Sequence, residues 1–168
     1  MNVLMTDCPT NTKERRTKMC EIMFEHFKVQ KFSMINTATL SLFSTGTTTG
    51  LVAECGEGVT YTVPVFEGFA LPHAIHRLDV SGQDITKRLF DEIVSNDVKL
   101  KPDEHMEVVR KIKEQMCHVA ENYETELKIS GRNDPLDQEQ RSYELPSGQI
   151  IEVNLKKRIT AAEVMFRP

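Results

Sequence analysis

Apolar positions along this chain switch between a period of two and a period near 3.6, and the switches mark out its elements. Val59, Tyr61, Val63 and Val65 alternate with Thr60, Thr62 and Pro64, the pattern of a half-buried strand. The Thr49–Ala53 run before them is β-prone, and Gly56 and Gly58 flank Glu57 between the two. The stretch Thr47–Val65, TTTGLVAECGEGVTYTVPV, therefore predicts a strand, a glycine turn and a second strand. Such a turn can point several N–H groups into one concavity, a nest that suits a phosphate. A plain hairpin turn accounts for the same residues, and the pattern alone favours it.

Ahead of this hairpin, Asn2–Thr6 predicts a strand closed by Asp7-Cys8-Pro9. Thr10 or Thr12 can cap a helix from about Lys13 to Phe27, with Cys20, Met23, Phe24 and Phe27 on one core-facing stripe. Phe32–Ile35 is a further short strand, and Thr37–Phe43 a short helix that Ser44-Thr45-Gly46 ends. After the hairpin, Gly68 and Pro72 punctuate a loop that returns to an extended segment near Arg77–Val80. A helix opening at 81–84 would bury Ile85, Leu89 and Ile93, and 95–100 reads as a polar loop.

The longest helix is expected from about Pro102 to Ile129, with Val109, Ile112, Met116, Ala120, Tyr123 and Leu127 as its apolar stripe. Arg110, Lys113, Glu114 and Cys117 form a second face; spacing alone makes it a solvated charge row with an Arg110–Glu114 pair. A polar excursion follows at 130–141. Ser142–Leu145 and Gln149–Val153 then flank Pro146-Ser147-Gly148 as a second hairpin, with no closing element after it.

Composition narrows the class. At 168 residues the chain has room for one moderate domain or two small lobes. Its 39% hydrophobic and 27% charged residues are those of an ordinary soluble protein, and a net charge of −4 without a basic run argues against a nucleic-acid partner. Cys8, Cys20, Cys55 and Cys117 lie far apart with no CxxC pair, so free thiols in a reducing compartment are expected. Cys117-His118 with His73 and His76 would be a poor metal set, because adjacent helical residues point in different directions and a packed thiol is the commoner role. There is neither a signal-like start nor an apolar run of membrane-spanning length, and a cytosolic protein is expected.

The run TGLVAECGEGVTYTVPVFEGFALPHAIHRLDVSGQDIT is similar, nearly position by position, to the stretch of actins that carries their second phosphate-binding loop. TKMCEIMFEHF before it, and VVRKIKEQMCHVA and SYELPSGQIIEV after it, extend the resemblance over almost the whole chain. The resemblance implies a partial α/β actin-like ATPase (ribonuclease H-like) fold with an appended α+β outer lobe, and nucleotide in a cleft between two halves. Residues 1–44 would end the small-half lobe, 45–80 would start the large-half lobe with the phosphate-loop hairpin, and 81–168 would form the outer lobe. It also implies that these residues match the middle of an actin-sized chain. The first phosphate loop would then precede Met1, and the last glycine loop would follow Pro168. An opening strand whose edge needs a cover agrees with that.

Position by position, the resemblance puts Gly56, Glu57, Gly58 and Val59 in the phosphate loop, and Gly82, Arg110, Lys113 and Glu114 at the adenosine and ribose contacts. Phe43, Gly46, Thr48 and Phe69 match a hydrophobic groove that receives binding proteins and neighbouring subunits. The implied cofactor is ATP or ADP with Mg2+ or Ca2+, the cation reached through water by Glu54 and Glu57. Both replace an Asp, and the extra methylene shifts each carboxylate by about one C–C bond, which suits the strict octahedron of Mg2+ poorly. Thr37 replaces the glutamine that orients the attacking water, Tyr61 a histidine near that water, and Cys55 a serine at the terminal phosphate. Because phosphoryl transfer depends on positioning, slow or absent hydrolysis is expected.

Two functions follow from the resemblance. One is a divergent cytoskeletal subunit that binds ATP or ADP, in the cytoplasm or a cilium, with actin-like subunits or actin-binding proteins as partners. The other is a non-catalytic actin-fold subunit of a larger assembly of ciliary, axonemal or chromatin type. The segments 95–107 and 130–141 depart strongly from common actins, which implies a partner set of its own.

Overall fold

The computed structural model describes residues 1–94, 101–130, 141–145 and 148–168, without the side chains of 102–104 and 141. The polar loop expected at 95–100, most of the 130–141 excursion, and Pro146-Ser147 lie outside the described residues. The chain divides into two compact units, Met1–Asp79 and Val80–Pro168.

In the first unit, β1 (Asn2–Asp7) and β2 (Lys31–Asn36) pair in parallel, in register from Asn2↔Lys31 to Asp7↔Asn36. Parallel strands need a crossover, and α1 (Lys13–Glu21) supplies it, running on into a π-helical turn at Ile22–His26. Thr12 caps α1, its hydroxyl accepting the Arg15 N–H at 3.3 Å. Buried Asp7 ties the end of β1 to the helix by accepting from Asn11 Nδ2 at 2.7 Å and Arg16 Nε at 2.6 Å.

The stripe of Cys20, Met23, Phe24 and Phe27 is not core: no residue of α1 or the π turn is buried, and Phe27 is 63% exposed. Two strands offer a narrow surface, and the π turn rotates the later positions off the α-helical stripe. Phe24 instead meets Phe32 edge to face at 6.3 Å between ring centroids.

β3 (Gly50–Cys55), β4 (Thr60–Phe66), β5 (Phe69–Ala70) and β6 (His76–Leu78) form an antiparallel sheet in which β4 pairs with the other three. The alternation along β4 is met: Tyr61, Val63 and Val65 are buried, and they pack with Ala38 and Leu42 of α2 (Thr37–Ser44). Gly50 lets α2 sit close, since a Cβ there would come within 3.1 Å of Leu42 Cδ1. The expected extended segment near 77–80 forms as β6, with Asp79 and Val80 beyond its end.

The second unit joins α3 (Gly82–Val94), α4 (Pro102–Met116), α5 (Tyr123–Ile129) and α6 (Leu155–Glu163) to the antiparallel hairpin of β7 (Arg141–Glu144) and β8 (Ile150–Val153). Leu89, Phe90, Ile93, Val109, Ile112, Leu145, Ile151, Val153 and Ala161 make its core. Gly148, at φ +81°, serves the hairpin turn.

The single helix expected over 102–129 is two. Cys117 leaves the helix at φ −76° and ψ 148°, and Asn122 caps a new one by accepting the Thr125 N–H at 3.1 Å. The Glu126 carboxylate accepts the Glu121 N–H at 2.9 Å, so two side chains satisfy amides that a continuous helix would have bonded internally. The chain also does have a closing helix. Asn154 caps α6 through the Lys157 N–H at 3.0 Å, and α6 buries Leu155, Ile159, Ala161 and Ala162.

Candidate functional site

The β3–β4 turn is built by pairing Cys55 with Thr60 and closing a tight loop over Glu57 and Gly58, with the Gly56 N–H bonded to the Val59 carbonyl at 3.0 Å. Neither Gly56 nor Gly58 has a positive φ. The Gly56 amide is spent on closing the turn. What the glycines supply is clearance: a Cβ at Gly58 would meet nothing within 4 Å. A ligand can approach the backbone closely there.

Next to this turn, Glu54 is held by two hydroxyls of α2. Thr37 Oγ1 donates to Oε2 at 2.7 Å and Ser41 Oγ to Oε1 at 3.0 Å. Thr37 and Glu54 are thus brought together. Ser41, which sequence reasoning missed, completes the pair; its i+4 spacing from Thr37 on α2 was the available signal. Tyr61 is buried, and its phenol is tied to Thr10 Oγ1 at 2.9 Å and receives the Cys8 thiol at 3.2 Å. Partial burial raises the Cys8 pKa, but the hydrogen bonds that Tyr61 and Thr10 offer the deprotonated sulfur outweigh it and hold the thiol below its ordinary value. Cys55 is exposed, its sulfur accepting from Thr60 Oγ1 at 3.3 Å.

In the second unit, α3 and α4 bring Gly82, Arg110, Lys113 and Glu114 together. Lys113 Nζ donates to the Gly82 carbonyl at 3.0 Å, joining the two helices. Arg110 Nε and Nη2 donate to the two oxygens of Glu107 at 3.0 and 2.6 Å, and Nη1 to Glu114 at 3.4 Å. The Arg110–Glu114 pair expected from spacing is present, and Glu107, three residues before Arg110, is a partner the sequence reading passed over.

Cys117 is a packed thiol. Burial pushes its pKa from 9.0 up to about 11, with Arg158 and Lys113 offsetting part of the rise. Since the folded value lies above the ordinary one, the stability held by the neutral thiol is complete below pH 9 and is lost as pH rises through about 11. Brief iodoacetamide treatment at pH 8 with peptide mapping is expected to label Cys8 and spare Cys117, and Cys117→Ala is expected to lose less stability than wild type between pH 9 and 11. Equal labelling of the two thiols, or equal alkaline loss, would contradict this.

Phe43, Thr48 and the turn before Phe69 also meet. The Gly68 N–H donates to the Thr48 carbonyl at 2.7 Å, and a Cβ on Gly68 would stand 3.0 Å from Phe43 Cζ. Phe69 is 77% exposed, Phe66 lies opposite it in the register, and Gly46 ends α2 at φ +79°. Exposed rings around a glycine turn form an apolar patch.

A protein-family model described as actin matches residues 1–168. The chain belongs to the actin family. The mixed α/β content and the sheets of both units agree with an actin-like fold. For the divalent cation of an actin-family nucleotide site, the residues do not fit direct ligation. Among the described residues, no group of three or more His, Cys, Asp or Glu could hold a metal, and both oxygens of Glu54 already accept hydroxyls. His118 lies 3.7 Å from the Glu126 carboxylate, and no described helix is long and apolar enough to cross a membrane.

Proposed function

We propose that this actin-family chain is a cytoskeletal subunit that binds ATP or ADP and hydrolyses ATP slowly or not at all. In this reading Gly56, Glu57, Gly58 and Val59 receive the phosphates, while Gly82, Arg110, Lys113 and Glu114 receive the adenosine. The observation that carries it is the gathering of those four residues, tied by the Lys113–Gly82 and Arg110–Glu114 bonds. Weak hydrolysis is supported by the commitment of the Thr37 hydroxyl to Glu54 and of the Tyr61 phenol to Thr10, which leaves both less able to orient a water. The cation, Mg2+ or Ca2+, would come with the nucleotide and be met by Glu54 and Glu57 through water. Partners are actin-like subunits or actin-binding proteins at Phe43, Gly46, Thr48 and Phe69, supported by the exposed rings there. The setting is the cytoplasm and its cytoskeleton, a cilium included. The second reading, a non-catalytic subunit of a ciliary, axonemal or chromatin assembly, draws on the same Thr37–Glu54 bond.

Denaturing the purified protein and quantifying released nucleotide tests binding: stoichiometric ATP or ADP supports it, and none overturns it. Gly58→Ala sharpens the test. With open space around the new methyl, Gly58→Ala is expected to leave stability unchanged or raise it by about 0.4–1 kcal/mol while weakening ADP binding about tenfold or more. Unchanged ADP affinity in Gly58→Ala would remove this turn from the site.

A further inference from the structure

We propose that Glu107 positions Arg110, holding the guanidinium in the orientation in which it meets the nucleoside. This rests on the reading of Arg110 as a nucleotide contact. The geometry is two-pointed: Glu107 Oε2 takes Nε at 3.0 Å and Oε1 takes Nη2 at 2.6 Å, so both the place and the plane of the guanidinium are set. Glu114, one turn further along α4, takes only Nη1 at 3.4 Å, and a single long bond leaves the plane free to rotate. Arg110 is half-buried, its side chain 41% exposed, so part of the guanidinium stays open to a ligand. The Glu107 carboxyl is held below its ordinary pKa by the Arg110 hydrogen bond, and it is charged at neutral pH.

An arginine already ordered before the ligand arrives loses less rotamer freedom on binding than a mobile one. Glu107 thus acts through Arg110 without touching the ligand. Glu114, engaged at one oxygen by one bond, retains acceptor capacity for a hydroxyl donor such as a ribose. The two carboxylates on either side of Arg110 have different tasks.

Calorimetric titration of ADP into the purified full chain tests this with Glu107→Gln, Arg110→Ala and the double variant. Gln keeps one acceptor but turns an NH₂ towards the guanidinium, so Glu107→Gln is expected to weaken ADP binding roughly two- to tenfold. In the Arg110→Ala background the same change is expected to cost no more than about twofold, because nothing is left to position. A purely structural role for Glu107 predicts the same loss in both backgrounds, and that result overturns the proposal. So does a Glu107→Gln protein that binds ADP like wild type. A flat wild-type titration is a different failure, since it removes the nucleotide reading itself.

Discussion

Leu89→Ala is expected to destabilise the Val80–Pro168 unit by about 2–5 kcal/mol, a large share of what a unit of this size can hold. Leu89 is fully buried in α3 and packs in one cluster with Ile93, Val109, Ile112, Ile151, Val153 and Ala161. These come from α3, α4, β8 and α6, so one cavity loosens four elements. Phe24→Ala, which removes more apolar volume, is expected to cost under about 1 kcal/mol because its ring is 45% exposed. Urea melts followed by hydrogen exchange and mass spectrometry read both: protection should fall across Val80–Pro168 in Leu89→Ala and hold in Phe24→Ala. The reverse order of the two losses would overturn the assignment of the core.

Thr37→Gln is expected to speed hydrolysis of bound ATP by about two orders of magnitude in a single turnover. The Thr37 hydroxyl reaches Glu54 at 2.7 Å and goes no further, whereas a glutamine amide lies two bonds beyond and carries both a donor and an acceptor for water. Ser41 still bonds the other oxygen of Glu54, so the α2–β3 junction should survive the change. The experiment loads stoichiometric ATP on wild type and Thr37→Gln and follows phosphate release. Equal slow rates in both proteins would show that the missing amide is not what limits the reaction. Fast release by wild type would overturn weak hydrolysis altogether.

Several site features were legible in the residues alone, for reasons that the structure makes plain. The β3–β4 hairpin is local: its strands are adjacent in sequence, and the alternation of Val59, Tyr61, Val63 and Val65 reports directly which side faces α2. The Arg110–Glu114 pair is likewise a matter of helical spacing. The break at Cys117 was not legible in this way, because Val109, Ile112, Met116, Ala120, Tyr123 and Leu127 keep perfect helical spacing through it. Only Asn122 and Glu126, as capping side chains, betray the second start. Helix α6 was hidden by charge: its buried face includes Lys157 and Arg158, which break the apolar stripe, and Lys157 Nζ finds the Glu152 carbonyl at 3.0 Å.

By itself the sequence determined the strand–turn–strand at 47–65, the helical faces of α3 and α4, the family, and the identity of each candidate residue. All of these depend on short-range periodicity or on residue type. Tertiary structure alone decided which of those side chains are already committed. That Glu54 is held by Thr37 and Ser41, Tyr61 by Cys8 and Thr10, and Lys113 by Gly82 follows from contacts across 13 to 53 residues of chain. It also decided that the apolar stripe of α1 and its π turn stays out of the core while Leu89 is sealed, since burial depends on what the fold lays against a face. Periodicity marks the face and says nothing of its cover.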